Sequence, residues 1–301
     1  MPNDHPHDVV LFGATGFAGE LTAQYLARNM PKEGRWALAG RDRAKLERVR
    51  ERLAETDAAL ADLPLLAADA TDPASIRAVA ESTRVVITTV GPYLSYGEPL
   101  VAACAESGTD YVDLTGEPEF VDLMYLRHHA TAERTGARIV HACGFDSIPT
   151  DLGVLFTLRQ LPKDLPVAID GFVRAHGTFS GGTLASLLNS AARPASVAAT
   201  AKRRRAAEPR PAGRRISSRA GRFEWSGAAK AWAVPLPVMD THVVARSAAA
   251  LPEYGSDFRY RHHAAVKHLP VVAGGALGIS SLLLAAQVPP LRRAAQRIRR
   301  P

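Results

Sequence analysis

Residues 9–19 read VVLFGATGFAG: an apolar run, then Gly13, Gly16 and Gly19 spaced three apart, then a helix-forming stretch. Few folds tolerate that order. A β-branched strand that enters a tight glycine turn and leaves it directly as a helix is the opening of a βαβ unit. Gly13 permits the tight turn, Gly16 lets a phosphate approach the backbone, and Gly19 lets the helix lie close on the sheet. The helix N-terminus offers N–H groups and a partial positive charge to that phosphate. Gly13, Ala14, Thr15, Gly16, Phe17 and Gly19 are therefore the first candidates for binding a dinucleotide.

A glycine turn alone is weak evidence, and the remainder of the first half has to supply the sheet. Short apolar or β-branched runs at 9–12, 36–39, 65–67, 85–88, 111–113 and 139–141 alternate with helical stretches at 16–29, 43–54, 73–81, 98–107 and 119–135. Brief apolar strands separated by helices predict a parallel sheet covered on both faces, joined by right-handed crossovers. The expected fold class is α/β: a Rossmann-type doubly wound parallel sheet over residues 1–150, with a second, smaller α+β domain over 151–260. In that second part, 167–174 reads as a strand, 184–201 as a helix of small residues and 241–246 as another strand.

Charge is unevenly placed. The chain carries 37 Lys and Arg against 30 Asp and Glu. The surplus lies in a low-complexity insert near 200–222 and in the Arg-rich tail, and elsewhere acids outnumber bases. Such segments read either as solvated, partly disordered chain or as a patch for an anionic membrane surface. They lack interleaved aromatics, so nucleic acid is not an expected partner. Residues 261–301 are expected to hold an apolar helix before that tail. The stretch 269–288 is uncharged over about the length of a membrane span, yet its glycines and serines suit a buried or homodimer-forming helix equally well. Two cysteines outside any CxxC pair, and no signal-peptide pattern, predict a cytoplasmic protein, peripheral to or anchored in the plasma membrane if the C-terminal segment meets lipid.

Ligands of doubly wound sheets lie beyond the carboxyl ends of the strands, so the loops there supply the next candidates. At the end of the second strand Arg41 stands where an acid would hold the ribose hydroxyls of NAD. An arginine suits a 2′-phosphate, which favours NADP; the neighbouring Asp42 keeps NAD open. Asp69 follows the third strand, and Thr89, Gly91 and Pro92 follow the fourth, toward the nicotinamide end. Cofactor candidates are thus the glycine turn, Arg41, Asp69, Thr89, Gly91 and Pro92. No metal site is expected, because the adjacent histidines 128–129 and 262–263 point about 100° apart on a helix.

Four phrases carry a family resemblance: FGATGFAG, LAGRDRAKL, TTVGPYLSYGEPLVAACAESGTDYVDLTGE and HACGFDSIPTDLG. Together they resemble the saccharopine dehydrogenase-like oxidoreductases, and within them the actinobacterial trans-acting enoyl reductases of glycolipid assembly. The likeness is dense to about Gly153 and looser through SGGT, VMDTHVVARSAAAL and FRYRHHAAVKHLP. Between Asn189 and Phe223 the chain departs from the family pattern, being short and basic. The resemblance implies an NAD(P)-binding domain, a mixed substrate domain, and hydride delivery to a carbon–carbon double bond of a small or carrier-bound acyl substrate.

That chemistry needs a hydride at the β-carbon, stabilisation of the enolate oxygen and a proton at the α-carbon. Tyr93 and Tyr96, beside the nicotinamide-end loop, and Asp146, after the sixth strand, are the catalytic candidates. The leading reading is an NAD(P)H-dependent enoyl reductase acting on a lipid or polyketide acyl intermediate. A saccharopine-type amino-acid dehydrogenase remains open, as does a non-catalytic dinucleotide-binding sensor or scaffold at a lipid surface.

Overall fold

The computed structural model describes residues 5–145, 147–162, 165–174, 193–209, 211–236 and 238–274. The chain divides into two compact units, Met1–Thr115 with Phe120–Cys143 and Gly116–Glu119 with Gly144–Pro301.

The first unit is a six-stranded sheet of β1 (His7–Phe12), β2 (Trp36–Gly40), β3 (Leu65–Ala67), β4 (Thr83–Thr88), β5 (Asp110–Asp113) and β6 (Ile139–Val140). Strand order is β3-β2-β1-β4-β5-β6 and every pairing is parallel. The order reverses direction between β1 and β4, which makes the gap above those two strands the switch point where a nucleotide binds. The helices are α1 (Phe17–Asn29), α2 (Arg43–Ala54), α3 (Pro73–Glu81), the short α4 (Tyr93–Tyr96), α5 (Glu98–Ser107) and α6 (Pro118–Thr135).

Two-residue periodicity divides the core between the faces of the sheet. Leu11 and Leu38 pack with Ala23, Leu46, Val49 and Leu53 on the face covered by α1 and α2. Val10, Phe12, Ala37 and Ala39 pack with Ile76, Val79, Leu100, Val101 and Phe120 on the other. Strands buried on both faces have no polar side to expose, which is why β2 reads WALAG without alternation. Burying a leucine such as Leu46 contributes about 1.5–3 kcal/mol. Asp42 and Asp72 cap α2 and α3 by accepting from the N–H groups of Lys45 and Ala74.

The second unit is built on β11 (Asp257–Val266), which pairs in parallel with β7 (Val167–Val173) along one edge. Along the other, β8 (Arg215–Ala220) pairs in parallel with 257–262, and β10 (Ala231–Pro235) runs antiparallel to 263–266. The short β9 (Glu224–Ser226) completes a hairpin with β10. Helices α7 (Ile148–Leu158) and α9 (Asp240–Ala250) contribute Val154, Leu158, Val244 and Ala248 to a core with Phe258 and Tyr260.

Two expectations are corrected in this unit. Residues 241–246 form no strand: they lie in α9, where Thr241, Val244 and Ala248 are buried at helical spacing. The Val243–Val244 pair suggested β structure, but the alanine-rich sequence and the buried stripe win. The basic insert is not loose chain. Its residues form α8 (Pro194–Ala207) and β8, and Arg214 donates to the carbonyls of Ala248, Leu251 and Gly255 at 2.8–2.9 Å. Part of the expected helix 184–201 lies outside the described residues, and its described part runs on to Ala207 within α8. The stretch 269–288 also lies mostly outside them; no described helix is long and apolar enough to cross a membrane.

Candidate functional site

The glycine turn has the shape that a phosphate cradle needs. Gly13 sits at φ +90°, and both it and Ala14 donate to the carbonyl of Ala39, which ties the turn to the end of β2. A β-carbon on Gly13 would stand 2.7 Å from Val90 Cγ2, and one on Gly19 would stand 2.1 Å from the Gly13 carbonyl oxygen. Only backbone fits at either position. A β-carbon at Gly16, by contrast, would meet nothing closer than 3.6 Å, so that side of the turn is open. No side chain caps α1 at Gly16, and its first-turn N–H groups are left for a ligand. Phe17, the first helical residue, is 71% exposed beside them.

The other cofactor candidates gather along the same edge. Thr89 Oγ1 donates to the Gly13 carbonyl at 3.0 Å, joining the loop after β4 to the glycine turn. Gly91 and Pro92, linked by a cis peptide, continue that loop into α4. Arg41 is exposed at the end of β2. Asp42 caps α2, its Oδ1 accepting from Lys45 N at 3.0 Å. Asp69 accepts the N–H and hydroxyl of Thr71, both at 2.8 Å. Those bonds, with the nearby Arg41 charge, hold its carboxyl below the usual carboxylate range. This corner thus keeps an exposed cation beside an occupied acid, which fits a 2′-phosphate.

The catalytic candidates fare differently. Tyr93 is 4% exposed; its hydroxyl donates to the Thr88 carbonyl at 3.1 Å and accepts from Leu114 N, so it joins the ends of β4 and β5. Tyr96 is 43% exposed, one turn further on. Asp146 lies outside the described residues. Cys143, in the same loop, has its thiol pushed up to about 11 by burial and by Asp113, which suits an inert thiol.

A cluster that sequence reading passed over closes the sheet edge. Asp113, last residue of β5, has a fully buried side chain. Its Oδ1 accepts from Thr115 N and Ala142 N at 3.0 and 2.9 Å. Its Oδ2 accepts the Tyr111 hydroxyl at 2.9 Å and lies 2.6 Å from His141 Nδ1. Burial, with Asp113 beside it, pushes the Tyr111 phenol well up, so it remains a donor. We assign the His141 ring proton to Nδ1, because an aspartate oxygen that already accepts has none to give. Ala142 follows at φ +59°, a left-handed conformation that costs an L-residue about 1–2 kcal/mol. Asp113 holds it there through the Ala142 N–H and through its own carbonyl, which accepts from Cys143 N at 2.6 Å. The signal was available: an Asp ending one parallel strand and a His directly following its neighbour, both at the carboxyl edge.

Residues 9–140 match the family model of the saccharopine dehydrogenase NADP binding domain. A Mycobacterium tuberculosis (strain H37Rv) protein provisionally named a trans-acting enoyl reductase is 43% identical over 93% of this chain and 71% of its own length. A Mycobacterium leprae trans-acting enoyl reductase is 50% identical over 54% of this chain and 38% of its own. Among solved structures, apo saccharopine dehydrogenase (L-Glu forming) from Saccharomyces cerevisiae aligns with a TM-score of 0.41 and 20% identity, over 51% of this chain and 31% of that one. Citrobacter sp. triphenylmethane reductase complexed with NADP(H) aligns at 0.35 and 16%, over 55% and 57%. The cofactor is NADP, in keeping with the domain matched and with the Arg41 corner. The chain belongs to the trans-acting enoyl reductase family of NAD(P)-dependent oxidoreductases, built on a saccharopine dehydrogenase-type NADP-binding domain.

Proposed function

We propose that this chain reduces the carbon–carbon double bond of an acyl thioester carried on a carrier protein, as an intermediate of lipid or glycolipid assembly. The observation that carries the reading is the backbone-only cradle at Gly13–Gly19 with Arg41 at the adjoining strand end, in a chain 43% identical to a relative bearing that enzyme name. When bound, NADPH supplies the hydride. The chain's own part is to hold the pyrophosphate on the first turn of α1, to hold the 2′-phosphate with Arg41, and to seat the acyl group beyond β4 and β5. Tyr96, exposed beside that loop, is suited to line the acyl site. Lys202, Arg203 and Arg205, all exposed on α8, suit an acidic carrier and its phosphopantetheine. Sedimentation with anionic vesicles tests the alternative use of these cations at a membrane surface.

The test is titration of the purified chain with NADPH and NADH, followed by loss of NADPH absorbance on adding enoyl thioesters of increasing chain length. Tighter binding of NADPH and turnover of an enoyl thioester are expected. Binding without turnover of any enoyl thioester overturns the reductase reading, and turnover of saccharopine instead assigns the chain to amino-acid chemistry.

A further inference from the structure

We propose that His141 is the proton donor of this reduction and that Asp113 is its positioning residue; the proposal rests on the enoyl-reductase reading above. Asp113 ends β5, and His141 directly follows the neighbouring strand β6, both at the carboxyl edge. The cofactor-binding loops trace a path along that edge: Arg41 after β2, the glycine turn after β1, then Thr89–Pro92 after β4. The next strand ends on that path are those of β5 and β6, so the reactive end of the nucleotide is carried toward them.

The geometry at His141 is that of a held acid–base group. Its Nδ1 is fixed by Asp113 at 2.6 Å. Its ring is wedged edge-on between Tyr111 and Phe120, with centroids 5.6 and 5.3 Å away. The side chain is 10% exposed, and Nε2 has no hydrogen-bond partner among the described residues. A carboxylate that takes one ring nitrogen and leaves the other free for substrate is the arrangement by which a histidine is kept in one tautomer for proton transfer. The competing donor on this edge, Tyr93, already spends its hydroxyl on Thr88.

Bound NADPH would supply a hydride to the β-carbon, the π pair moving onto the α-carbon and thioester oxygen as an enolate. The Nε2–H bond of protonated His141 then breaks, and its proton forms the new C–H bond at the α-carbon. The alkene is reduced, NADPH leaves as NADP⁺, and His141 is left neutral with its proton on Nδ1 toward Asp113. A proton taken up from bulk solvent then reprotonates Nε2, so the overall reduction consumes one proton.

His141→Gln, Asp113→Asn and Tyr96→Phe are compared with wild type in three measurements. NADPH affinity is expected to stay within about twofold in all of them. Turnover is expected to fall at least about 100-fold in His141→Gln, the lower end of what a general acid contributes. With product formed in D₂O, deuterium enters one face of the α-carbon in wild type and both faces in His141→Gln, while hydride delivery to the β-carbon keeps its face. Independently of turnover, ¹⁵N NMR of the cofactor-free protein should show neutral His141 as the Nδ1–H tautomer, a preference weakened in Asp113→Asn. Turnover within about threefold of wild type in His141→Gln, loss of facial selectivity in Tyr96→Phe instead, or an Nε2–H tautomer overturns the proposal. A wild-type chain that reduces no enoyl thioester overturns the reaction and the donor role together, with the NMR still reporting whether the Asp113–His141 pair forms.

Discussion

Gly19 lies so close to Gly13 that a β-carbon on it would stand 2.1 Å from the Gly13 carbonyl oxygen and 2.9 Å from Ala14 Cα. Both obstacles are backbone and neither can rotate away. Gly19→Ala must therefore lift α1 off the glycine turn and spoil the first-turn N–H groups proposed to hold the pyrophosphate. Overpacking of this kind costs about 1–3 kcal/mol. The expected result is a lower denaturant midpoint and NADPH affinity reduced at least about tenfold; unchanged affinity would show that the helix start does not bind the phosphates.

Arg41 is the residue expected to divide NADPH from NADH. Charge-assisted bonds to a phosphate contribute about 1.5–3 kcal/mol, which corresponds to roughly 10- to 100-fold in affinity. Arg41→Ala should weaken NADPH by that factor and leave NADH nearly as it was, as read by fluorescence titration of both. An equal loss for the two cofactors would remove Arg41 from the 2′-phosphate site.

Arg138 and Asp110 tie the start of β6 to the start of β5. Burial raises the Asp110 carboxyl, but the Arg138 guanidinium and backbone N–H outweigh it and hold the group below its usual range. A depressed carboxyl contributes stability that is complete above its unfolded pKa, near 4, and is lost as pH falls through the lower folded value. Asp110→Asn is therefore expected to lower stability by about 1 kcal/mol at neutral pH, since Arg138 is largely exposed and its pairing is screened. The gap between variant and wild type should close in acid. Chemical denaturation across a pH series checks this, and a gap that widens below pH 4 would contradict it.

Arg214 holds the C-terminal end of α9 by donating to four carbonyls there and nearby, those of Ala248, Ala249, Leu251 and Gly255. Removing it leaves part-buried acceptors without a donor. Arg214→Ala should cost about 2 kcal/mol and Arg214→Lys nearly as much, because an ammonium cannot reproduce the fork. Equal melting temperatures for wild type and Arg214→Lys would show that charge alone suffices.

The first unit was legible because its signals are local. Apolar strands such as WALAG, aspartate caps at Asp42 and Asp72, and the glycine turn each act within a few residues, and together they imply the parallel sheet. The second unit was less so. Its central strand, FRYRHHAAV after Asp257, hides its buried side of Phe258, Tyr260 and His262 among two arginines, of which Arg261 pairs with Asp170 and Glu224 on other strands. The basic stretch around Arg214 and Arg215 looked like solvated chain for the same reason: its partners lie some forty residues ahead in β11 and in the residues just before it.

By itself, then, the sequence determined the dinucleotide fold, the position of the cradle and the lean toward NADP, since backbone geometry at glycines and the residue ending β2 are local facts. Only the tertiary structure decided that Asp42 serves a helix, that Tyr93 belongs to the core and that Asp113 holds His141. Each of those roles depends on which distant group meets the side chain once the strands are paired, and residues 28 positions apart become hydrogen-bond partners only in the folded sheet.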